Sequence, residues 1–333
     1  MIITRTPFRM SFFGGGTDMP EFFNEYGGSV ISTTFDKYCY VTARHLPPFF
    51  DYSTELVYSK IERVADPMDL EHPAVRNAMA MLDMREMRIS YEADLPARSG
   101  LGTSSSFAVG MLNAFHRMKG TYASRERLAK EAIKLERELC AEAGGWQDQV
   151  AAAFGGLNRI DFSDGGFSVR PIVISPERKQ ELNDNLMMFF TGFTRFSSDM
   201  QKANKVADDV ARLTEMLSLV DAAEEVLTNK SEPLSKFGRL LDTTWRLKRN
   251  AGSRVSTGTI DALYERGIAA GALGGKLLGA GGGGFLVFYV EPDAQTSVRK
   301  AMSDLLHIPF AFEDGGASVV YFDPEGYELE EAR

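Results

Sequence analysis

The sequence has few of the residues that build disulfide frameworks and metal clusters. Its 333 residues include two cysteines, Cys39 and Cys140, and four histidines that lie far apart and lack the HExxH spacing of zinc proteases. The GxSxG motif that surrounds the nucleophile of α/β-hydrolases is also missing. These absences argue against a disulfide-rich secreted domain, a histidine metal centre and a serine hydrolase, and they favour the reducing cytoplasm as the protein's compartment.

Positive charge and long apolar runs are also scarce. The chain has 37 lysines and arginines against 46 aspartates and glutamates, a net charge of −9 at pH 7, which would repel a nucleic acid backbone. The first segment, IITRTPFRMSFF, carries charge inside its apolar pattern, and no apolar run is long enough to span a membrane. We therefore expect neither a nucleic acid partner nor a membrane span nor a signal peptide. The composition, 44% hydrophobic and 25% charged, is that of a globular chain long enough for two domains.

The hydrophobic patterning predicts a chain that begins with strands and continues with helices. The predicted elements are strands over 1–15, 28–44 and 87–95, helices over 105–119 and 124–143, a hairpin over 158–173, a strand over 186–191, a helical tract over 197–250 broken at 231–233, and a C-terminal helix, strand pair, helix and strand. Ser124 is the predicted N-cap of the second helix. The polar segment 174–185 predicts a domain boundary. The predicted fold class is therefore α+β in two lobes, residues 1–178 and 179–333.

A glycine-rich loop follows the third predicted strand and opens the first long helix. Residues 95–110 read LPARSGLGTSSSFAVG, without the lysine of a Walker A loop. Glycines nevertheless let backbone N–H groups approach an anion, and the start of the helix adds the positive end of its dipole. The hydroxyls of Thr103, Ser104 and Ser105 could bind phosphate oxygens or Mg²⁺. The segment predicts a phosphate site, with a plain turn before a capped helix as the alternative.

Two other segments point to the same chemistry. Residues 274–285, GGKLLGAGGGGF, are so rich in glycine that they predict a close approach to this backbone, with a bulged hairpin as the alternative. Glu136 and Glu138 lie on a predicted helix, and Asp148 lies just after it. Phosphoryl transfer uses one carboxylate to orient or deprotonate the attacking hydroxyl and another to hold Mg²⁺. Solvated surface acids are the alternative.

Together with a motif near the start of the chain, these segments resemble the three motifs of the GHMP kinase superfamily. The first is TPFRMSFFGGGTD at 6–18, the second is the loop at 96–106, and the third is KLLGAGGGGF at 276–285, in the order that the family keeps. The resemblance covers nearly the whole chain. It implies the two-domain GHMP kinase fold, with an N-terminal S5-like α/β lobe, a C-terminal ferredoxin-like α+β lobe, the active site between them, and ATP and Mg²⁺ as cofactors.

The resemblance also implies roles for individual residues. Asp148 would be the catalytic base, and Arg9 would stabilise charge near the γ-phosphate. Ser104 and Glu136 would bind Mg²⁺, with Glu138 as the second choice. The implied ATP-binding residues are Pro96, Ser99, Gly100, Leu101, Gly102, Thr103, Ser104, Ser105 and Ser106, and the implied substrate-binding residues are Gly14, Gly15, Gly16, Thr17, Asp18, Gly145, Arg195, Gly281 and Gly282. For Asp18, a helix N-cap at the surface is the alternative.

Several segments resemble one branch of the superfamily, the heptose phosphate kinases and fucokinases. These segments are GGGTD at 14–18, GGWQDQ at 144–149, TGFTR at 191–195, WRLKR at 245–249 and the third motif. Galactokinases usually carry Glu-His where this chain has Gly15-Gly16, so galactose is a weaker candidate. The resemblance implies phosphorylation of the anomeric hydroxyl of D-glycero-D-manno-heptose 7-phosphate. A kinase of a free sugar such as fucose or mannose, and a non-catalytic nucleotide or sugar sensor, are the alternatives.

A phosphorylated acceptor needs cationic or N–H partners for its own phosphate. The candidates are Arg98, Arg195, Lys205 and the turn at 14–16, and the sequence does not rank them. The expected partners are ATP and a small sugar phosphate, without nucleic acid or membrane, and a homodimer is left open.

Overall fold

The computed structural model of the protein describes residues 1–97, 99–192, 209–249, 258–279 and 283–323. The strands in this part of the chain are β1 (Ile2–Phe13), β2 (Gly28–His45), β3 (Thr54–Val57), β4 (Ile61–Val64), β5 (Met87–Ala93), β6 (Asn158–Ser163), β7 (Gly166–Pro171), β8 (Leu186–Phe190), β9 (Gly274–Leu277), β10 (Phe285–Tyr289), β11 (Leu306–Ile308), β12 (Phe312–Glu313) and β13 (Ser318–Phe322). The helices are α1 (Pro20–Tyr26), α2 (Pro73–Met81), α3 (Thr103–Met118), α4 (Arg125–Ile133), α5 (Gln147–Phe154), α6 (Pro176–Asp184), α7 (Val210–Thr228), α8 (Ser235–Arg249), α9 (Gly258–Ala269) and α10 (Pro292–Ala301).

The larger of two sheets has nine strands. Its main path runs β13-β1-β2-β5-β3-β4, while β6 and β12 also pair with β2, and β7 pairs with β6. Every pair is antiparallel except β3 with β5. The long β2 pairs with β1 from Ile31 to Ala43, and the register of β1 shifts near Pro7 and near Ser11. Such bulges bend a strand, and here they precede the turn that carries the first motif.

The smaller sheet is antiparallel, with the order β11-β8-β10-β9. A separate apolar cluster centred on Trp245, Tyr264 and Phe288 fills the space between this sheet and helices α8 to α10. The two lobes meet through aromatic rings, since Phe237 of α8 packs edge-on against Phe12 at 5.2 Å and Phe13 at 5.0 Å, measured between ring centroids. The predicted α+β class with two lobes is confirmed.

The end of the chain returns to the larger sheet. Strand β13 pairs with β1, with Phe322 opposite Ile2, and β12 pairs with β2, with Phe312 opposite Phe35. Residues 312–322 therefore share a sheet with the first lobe, which the division at residues 178 and 179 does not foresee. That division stays a prediction.

Most predicted elements lie where the patterning puts them, with two informative differences. The cap at Ser124 is confirmed, since its Oγ accepts from the N–H of Arg127 at 3.1 Å. The helix predicted over 124–143 is regular only to Ile133 and continues as a π-helical turn over Lys134–Leu139. The polar segment at 174–185 contains helix α6, which joins β7 of the larger sheet to β8 of the smaller one. Residues 197–208 and 250 of the predicted helical tract lie outside the described residues.

Candidate active site

The second and third motifs pack backbone against backbone between the two lobes. A methyl group added to Gly279 would overlap the Cα of Gly100, and one added to Gly284 would overlap the carbonyl of Ser99. A methyl group on Gly100 would in turn overlap the carbonyl of Leu278. The close approach predicted from the glycine density is therefore confirmed, and the approaching group is the protein's own phosphate loop.

The second motif ends at the start of α3. Gly102 has a left-handed conformation, φ 71°, and its carbonyl accepts the first helical hydrogen bond, from the N–H of Ser106 at 2.9 Å. The N–H groups of Ser104 and Ser105 consequently have no carbonyl one turn earlier to bind. Amides in this position, with the positive end of the helix dipole, form an anion site.

The side chains of this loop divide into one exposed hydroxyl and several buried groups. Ser104 is exposed, while the hydroxyl of Ser105 donates to Glu136 Oε2 at 2.7 Å and that of Ser106 donates to the carbonyl of Pro7 at 3.0 Å. Leu101 and Ser99 are fully buried. Thr103 is buried and Pro96 is exposed. Phosphate contacts from this loop would therefore come mainly from backbone amides and Ser104, and Ser106 instead ties the loop to β1.

Glu136 is presented by the π-helical turn. The N–H of Cys140 donates to the carbonyl of Leu135 at 2.9 Å, which is the wider i to i−5 spacing of a π-helix. Glu136 is 4% exposed, and Ser105 and Gln149 both donate to its Oε2. Burial raises the pKa of Glu136 to about 7, with further contributions from neighbouring acidic charges and opposition from the two hydrogen bonds. The second choice, Glu138, is exposed and therefore lacks the buried environment of Glu136.

The oxygen donors at this place fit Mg²⁺. A buried carboxylate beside serine hydroxyls and helix-start amides is the kind of hard, anionic surrounding in which Mg²⁺ binds together with phosphate. Glu136 and Ser104 are the residues expected to hold the ion, and Ser105 is the hydroxyl that already contacts Glu136. The described residues contain no group of three His, Cys, Asp or Glu side chains suited to a metal, so the other ligands would be phosphate oxygens and water.

Arg9 and Asp148 form an ion pair at the end of the phosphate loop. Nε and one terminal nitrogen of Arg9 each lie 2.7 Å from Asp148 Oδ1, and the other terminal nitrogen donates to the carbonyl of Gly100 at 2.7 Å. Arg9 is 4% exposed, whereas the Asp148 side chain is 27% exposed. Oδ2 of Asp148 has no hydrogen-bond partner within the described ranges. Arg9 thus orients the carboxylate and leaves one of its oxygens available.

Asp18 lies beside this pair in a pocket made by the first motif. Its Oδ1 accepts from the N–H of Gly16 at 2.9 Å, and its Oδ2 accepts from the N–H of Gln147 at 3.3 Å. A methyl group on Gly145 would overlap this carboxylate. Burial and the charge of Asp148 raise the pKa of Asp18. The N-cap alternative for Asp18 is wrong, because Asp18 is buried and Met19 occupies the N-cap of α1.

The glycines of the first motif have different surroundings. Gly14 is packed against the carbonyl of Ser29, and the hydroxyl of Thr17 lies within hydrogen-bond distance of the carbonyls of Gly14, at 2.8 Å, and Ser29, at 2.9 Å. Around Gly15, by contrast, an added methyl group would have no neighbour closer than 3.9 Å. Gly14 and Thr17 therefore hold the turn, and Gly15 leaves space beside Asp18.

Two polar groups in this space were missed by the sequence analysis. The hydroxyl of Ser11 and the Oε1 atom of Gln147 are buried, and neither has a hydrogen-bond partner in the part of the chain that the structure describes. Their side chains are the nearest atoms to the open side of Gly15. Buried polar groups of this kind are costly unless a ligand satisfies them. Ser11 lies in β1 within the first motif, and Gln147 lies in the GGWQDQ segment at 144–149, so the resemblance covers both residues although it gave neither of them a role.

Three residues with predicted roles cannot be placed. Arg195, Gly281 and Gly282 lie outside the described residues, as do Arg98 and Lys205 among the candidates for a substrate phosphate. The described site thus contains Arg9, Asp148, Glu136, the phosphate loop and the Asp18 pocket.

No helix among the described residues has the length and apolar character needed to cross a membrane.

The comparisons with known proteins agree with this arrangement. The model of the GHMP kinases N terminal domain matches residues 69–156, and the model of the GHMP kinases C terminal matches residues 222–308. The first match contains the phosphate loop, Glu136 and Asp148, and the second contains α8, β9 and β10.

Three similar proteins illustrate the range of relatives. A D-glycero-alpha-D-manno-heptose 7-phosphate kinase of Campylobacter jejuni is 29% identical over 324 residues, which cover 90% of this chain and 93% of that protein. A bifunctional fucokinase/GDP-fucose pyrophosphorylase of Arabidopsis thaliana is 26% identical, covering 90% of this chain but 31% of that protein. The crystal structure of a D-glycero-D-manno-heptose 1-phosphate kinase of Bacteroides thetaiotaomicron superposes with a TM-score of 0.78 over 97% of this chain and all of its own, at 24% identity, which shows a shared fold.

Proposed function

This chain belongs to the GHMP kinases, and from that premise we propose that it transfers the γ-phosphoryl group of ATP to the anomeric hydroxyl of D-glycero-D-manno-heptose 7-phosphate. The observation that carries the proposal is the Arg9–Asp148 pair, which lies between the phosphate loop and the Asp18 pocket. A methyl group on Gly102 would lie 3.2 Å from Arg9 Cγ and 3.4 Å from Asp148. A phosphate on the loop and a hydroxyl beside Asp148 would therefore be close enough to react.

In this mechanism Asp148 acts on the acceptor. Its uncommitted Oδ2 accepts the proton of the anomeric hydroxyl while the hydroxyl oxygen forms a bond to the γ-phosphorus. The bond between this phosphorus and the β–γ bridging oxygen breaks, and ADP leaves with the electron pair. Arg9, held against the carbonyl of Gly100, stabilises the charge on the phosphoryl oxygens during transfer.

Mg²⁺, when bound, would neutralise charge on the β- and γ-phosphates. We assign it to Glu136 and Ser104. Ser105 and Gln149 hold the Glu136 carboxylate in place through hydrogen bonds to one of its oxygens. The α3 amides would bind the phosphate oxygens in the same region.

The choice of a heptose phosphate depends on the acceptor side. An acceptor longer than a hexose could extend past Gly15, where an added methyl group would have no neighbour closer than 3.9 Å. The similarity to the heptose 7-phosphate kinase extends over almost the full length of both chains, whereas the fucokinase relative is about three times longer than the matched region. A kinase of free fucose is the second candidate, because the fucokinase relative also matches 90% of this chain.

The test is an ATP-consumption assay with Mg²⁺ against a panel of acceptors. The panel contains D-glycero-D-manno-heptose 7-phosphate, sedoheptulose 7-phosphate, free heptose, mannose, fucose and galactose. We expect turnover with the heptose 7-phosphate at a kcat/KM at least about 100-fold above the free sugars. Preference for a free sugar would support a sugar kinase but contradict heptose 7-phosphate as the acceptor. ATP binding without turnover of any acceptor would favour a sensor.

A further inference from the structure

A lysine of the WRLKR segment lies at the boundary between the two motifs that hold phosphate and the pocket that holds the acceptor. Lys248, in the last turn of α8, donates to the carbonyls of Gly279 and of Leu277, the latter at 3.4 Å. Gly279 packs on Gly100, whose carbonyl binds Arg9. Lys248 is therefore connected to the Arg9–Asp148 pair through the backbones of Gly279 and Gly100.

The charges around Lys248 are not balanced by a partner of its own. Arg9 is paired with Asp148, and Arg212 at the start of α7 is paired with Asp209, with 2.7 Å between Nε and Oδ1. Lys248 has no carboxylate within ion-pair distance among the described residues, and it donates its hydrogen bonds to carbonyl oxygens. Such a cation is available for an anionic ligand.

Lys276 shows why Lys248 is the candidate and not its neighbour. Lys276 also lacks a carboxylate within the described ranges, but it is 3% exposed and donates to the carbonyl of Phe12 at 2.7 Å. It links β9 to the end of β1 and is closed off from solvent. Lys248, taken as a whole residue, is only partly buried, so it is the less enclosed of the two lysines.

Lys248 contacts the third motif directly and also lies near charges of the acceptor side. Its hydrogen bonds go to the carbonyls of Leu277 and Gly279, while Arg9, Arg212, Asp18 and Lys276 are among the charges that act on it. The element that carries Arg212 also borders the acceptor turn, since Leu213 would lie 3.0 Å from a methyl group on Gly16. Burial, together with Arg9 and Arg212, lowers the pKa of Lys248 to about 8.

We propose that Lys248 binds the phosphate group carried by the sugar acceptor. The proposal rests on the proposed function, which supplies a phosphorylated sugar whose anomeric end lies at Asp148 and whose other end extends past Asp18. Lys248 would release the carbonyl of Gly279 and bind the phosphate as a point charge. Phosphate recognition would then depend on a helix of the second lobe, while the base belongs to the first.

The experiment measures equilibrium binding of heptose 7-phosphate and of free heptose by calorimetry, without nucleotide. The variants are Lys248→Met, Lys248→Arg and Lys236→Met, the last as a control that removes an exposed lysine of the same helix. We expect Lys248→Met to weaken heptose 7-phosphate binding by about 10- to 100-fold and to reduce the preference for the phosphorylated sugar by the same factor. Lys248→Arg should restore at least part of this preference, and Lys236→Met should match the wild type.

The other outcomes distinguish a wrong assignment of Lys248 from a wrong proposed function. ATP binding reports whether the Lys248 variants are folded, and Lys248→Arg keeps the test usable if the methionine variant is not. An unchanged preference in a folded variant, or an equal loss for both sugars, would overturn the assignment of Lys248 and leave the proposed function standing. Failure of the wild type to prefer the phosphorylated sugar would instead contradict the proposed function.

Discussion

The two sides of the cleft use glycine for opposite purposes. On the proposed nucleotide side, the space where Gly100, Gly279 and Gly284 lack a side chain is occupied by the protein's own backbone. The second and third motifs are therefore in direct contact. On the proposed acceptor side, a methyl group on Gly15 would have no neighbour closer than 3.9 Å, and the nearby side chains of Ser11 and Gln147 each carry a buried oxygen without a hydrogen-bond partner among the described residues. The proposed nucleotide side is therefore closed by contacts within the protein, whereas the proposed acceptor side leaves buried polar atoms that a ligand could satisfy.

The largest expected effect concerns the residue between the two sides. Replacing Asp148 by Asn would remove the proposed proton acceptor but keep a side chain of the same size beside Arg9. We expect kcat to fall by roughly 10²- to 10⁴-fold. The measurement is steady-state kinetics with the heptose 7-phosphate, with ATP affinity measured by titration as the control. Near-normal turnover in this variant would contradict the role of Asp148 as base.

The next largest effect tests the closed scaffold. Gly279→Ala adds a methyl group that overlaps Gly100 at a position with φ 76°. We expect a loss of roughly 2–4 kcal/mol in the free energy of unfolding and weaker ATP binding, because the two motifs must separate. Chemical denaturation and ATP titration measure both. A variant as stable as the wild type, with normal ATP affinity, would show that the two backbones do not require this contact.

The matched change on the acceptor side is Gly15→Ala. Its methyl group would meet no atom within 3.9 Å, so the free energy of unfolding should change by less than about 1 kcal/mol. The KM for the sugar phosphate should rise about tenfold, since the methyl group occupies space meant for the acceptor, while the KM for ATP stays the same. If this variant destabilised the protein as much as Gly279→Ala, the contrast between the two sides would disappear.

A smaller effect follows from the pKa of Lys248, which is lowered to about 8 by burial and by Arg9 and Arg212, with Asp18 opposing and Lys276 as a further nearby cation. Binding of the sugar phosphate needs the charged form, which is present below pH 8 and lost as the pH rises through that value. We expect kcat/KM for the sugar phosphate to fall by about tenfold between pH 8 and pH 9.5. In Lys248→Arg this fall should move to higher pH, because a guanidinium group stays charged there. A fall at the same pH in both proteins would assign it to another group.

The smallest effect concerns Ser11. Its buried hydroxyl has no partner in the described residues, so Ser11→Ala should leave the free energy of unfolding unchanged or raise it by up to about 1 kcal/mol. The KM for the sugar should rise about threefold if a sugar hydroxyl satisfies this group. Thermal unfolding and acceptor kinetics measure the two effects. A marked loss of stability would show that the hydroxyl has a structural role.

Part of the fold follows from local patterns in the sequence. The alternation in β1, β2 and β5, the hairpin of β6 and β7, and the cap at Ser124 are local features, and the structure confirms them. Helix α6 was missed although Ser175 and Pro176 form an N-cap and first-turn pair, because the polar composition was given more weight than this signal. The return of β12 and β13 to the larger sheet joins residues about 300 positions apart, and no local pattern encodes such a pairing.

The candidate site shows the same division. Motif spacing was enough to predict that the phosphate loop, Arg9 and Asp148 belong together, and they lie together in the structure. The π-helical turn that buries Glu136 and leaves Glu138 exposed depends on tertiary packing. Spacing alone therefore could not decide which of the two would bind Mg²⁺. Lys248 was not singled out because its significance depends on the absence of a carboxylate partner among the described residues, and the packing of α8 against the segment that follows β9 determines this.

The most direct test of the account is phosphorus NMR of the product formed from ATP, Mg²⁺ and D-glycero-D-manno-heptose 7-phosphate. We expect a new anomeric phosphate signal, coupled to the proton on the anomeric carbon, while the signal of the original phosphate remains and ADP accumulates in equal amount. Transfer to any other hydroxyl, or ADP formation with release of inorganic phosphate alone, would contradict an acceptor held with its anomeric hydroxyl at Asp148.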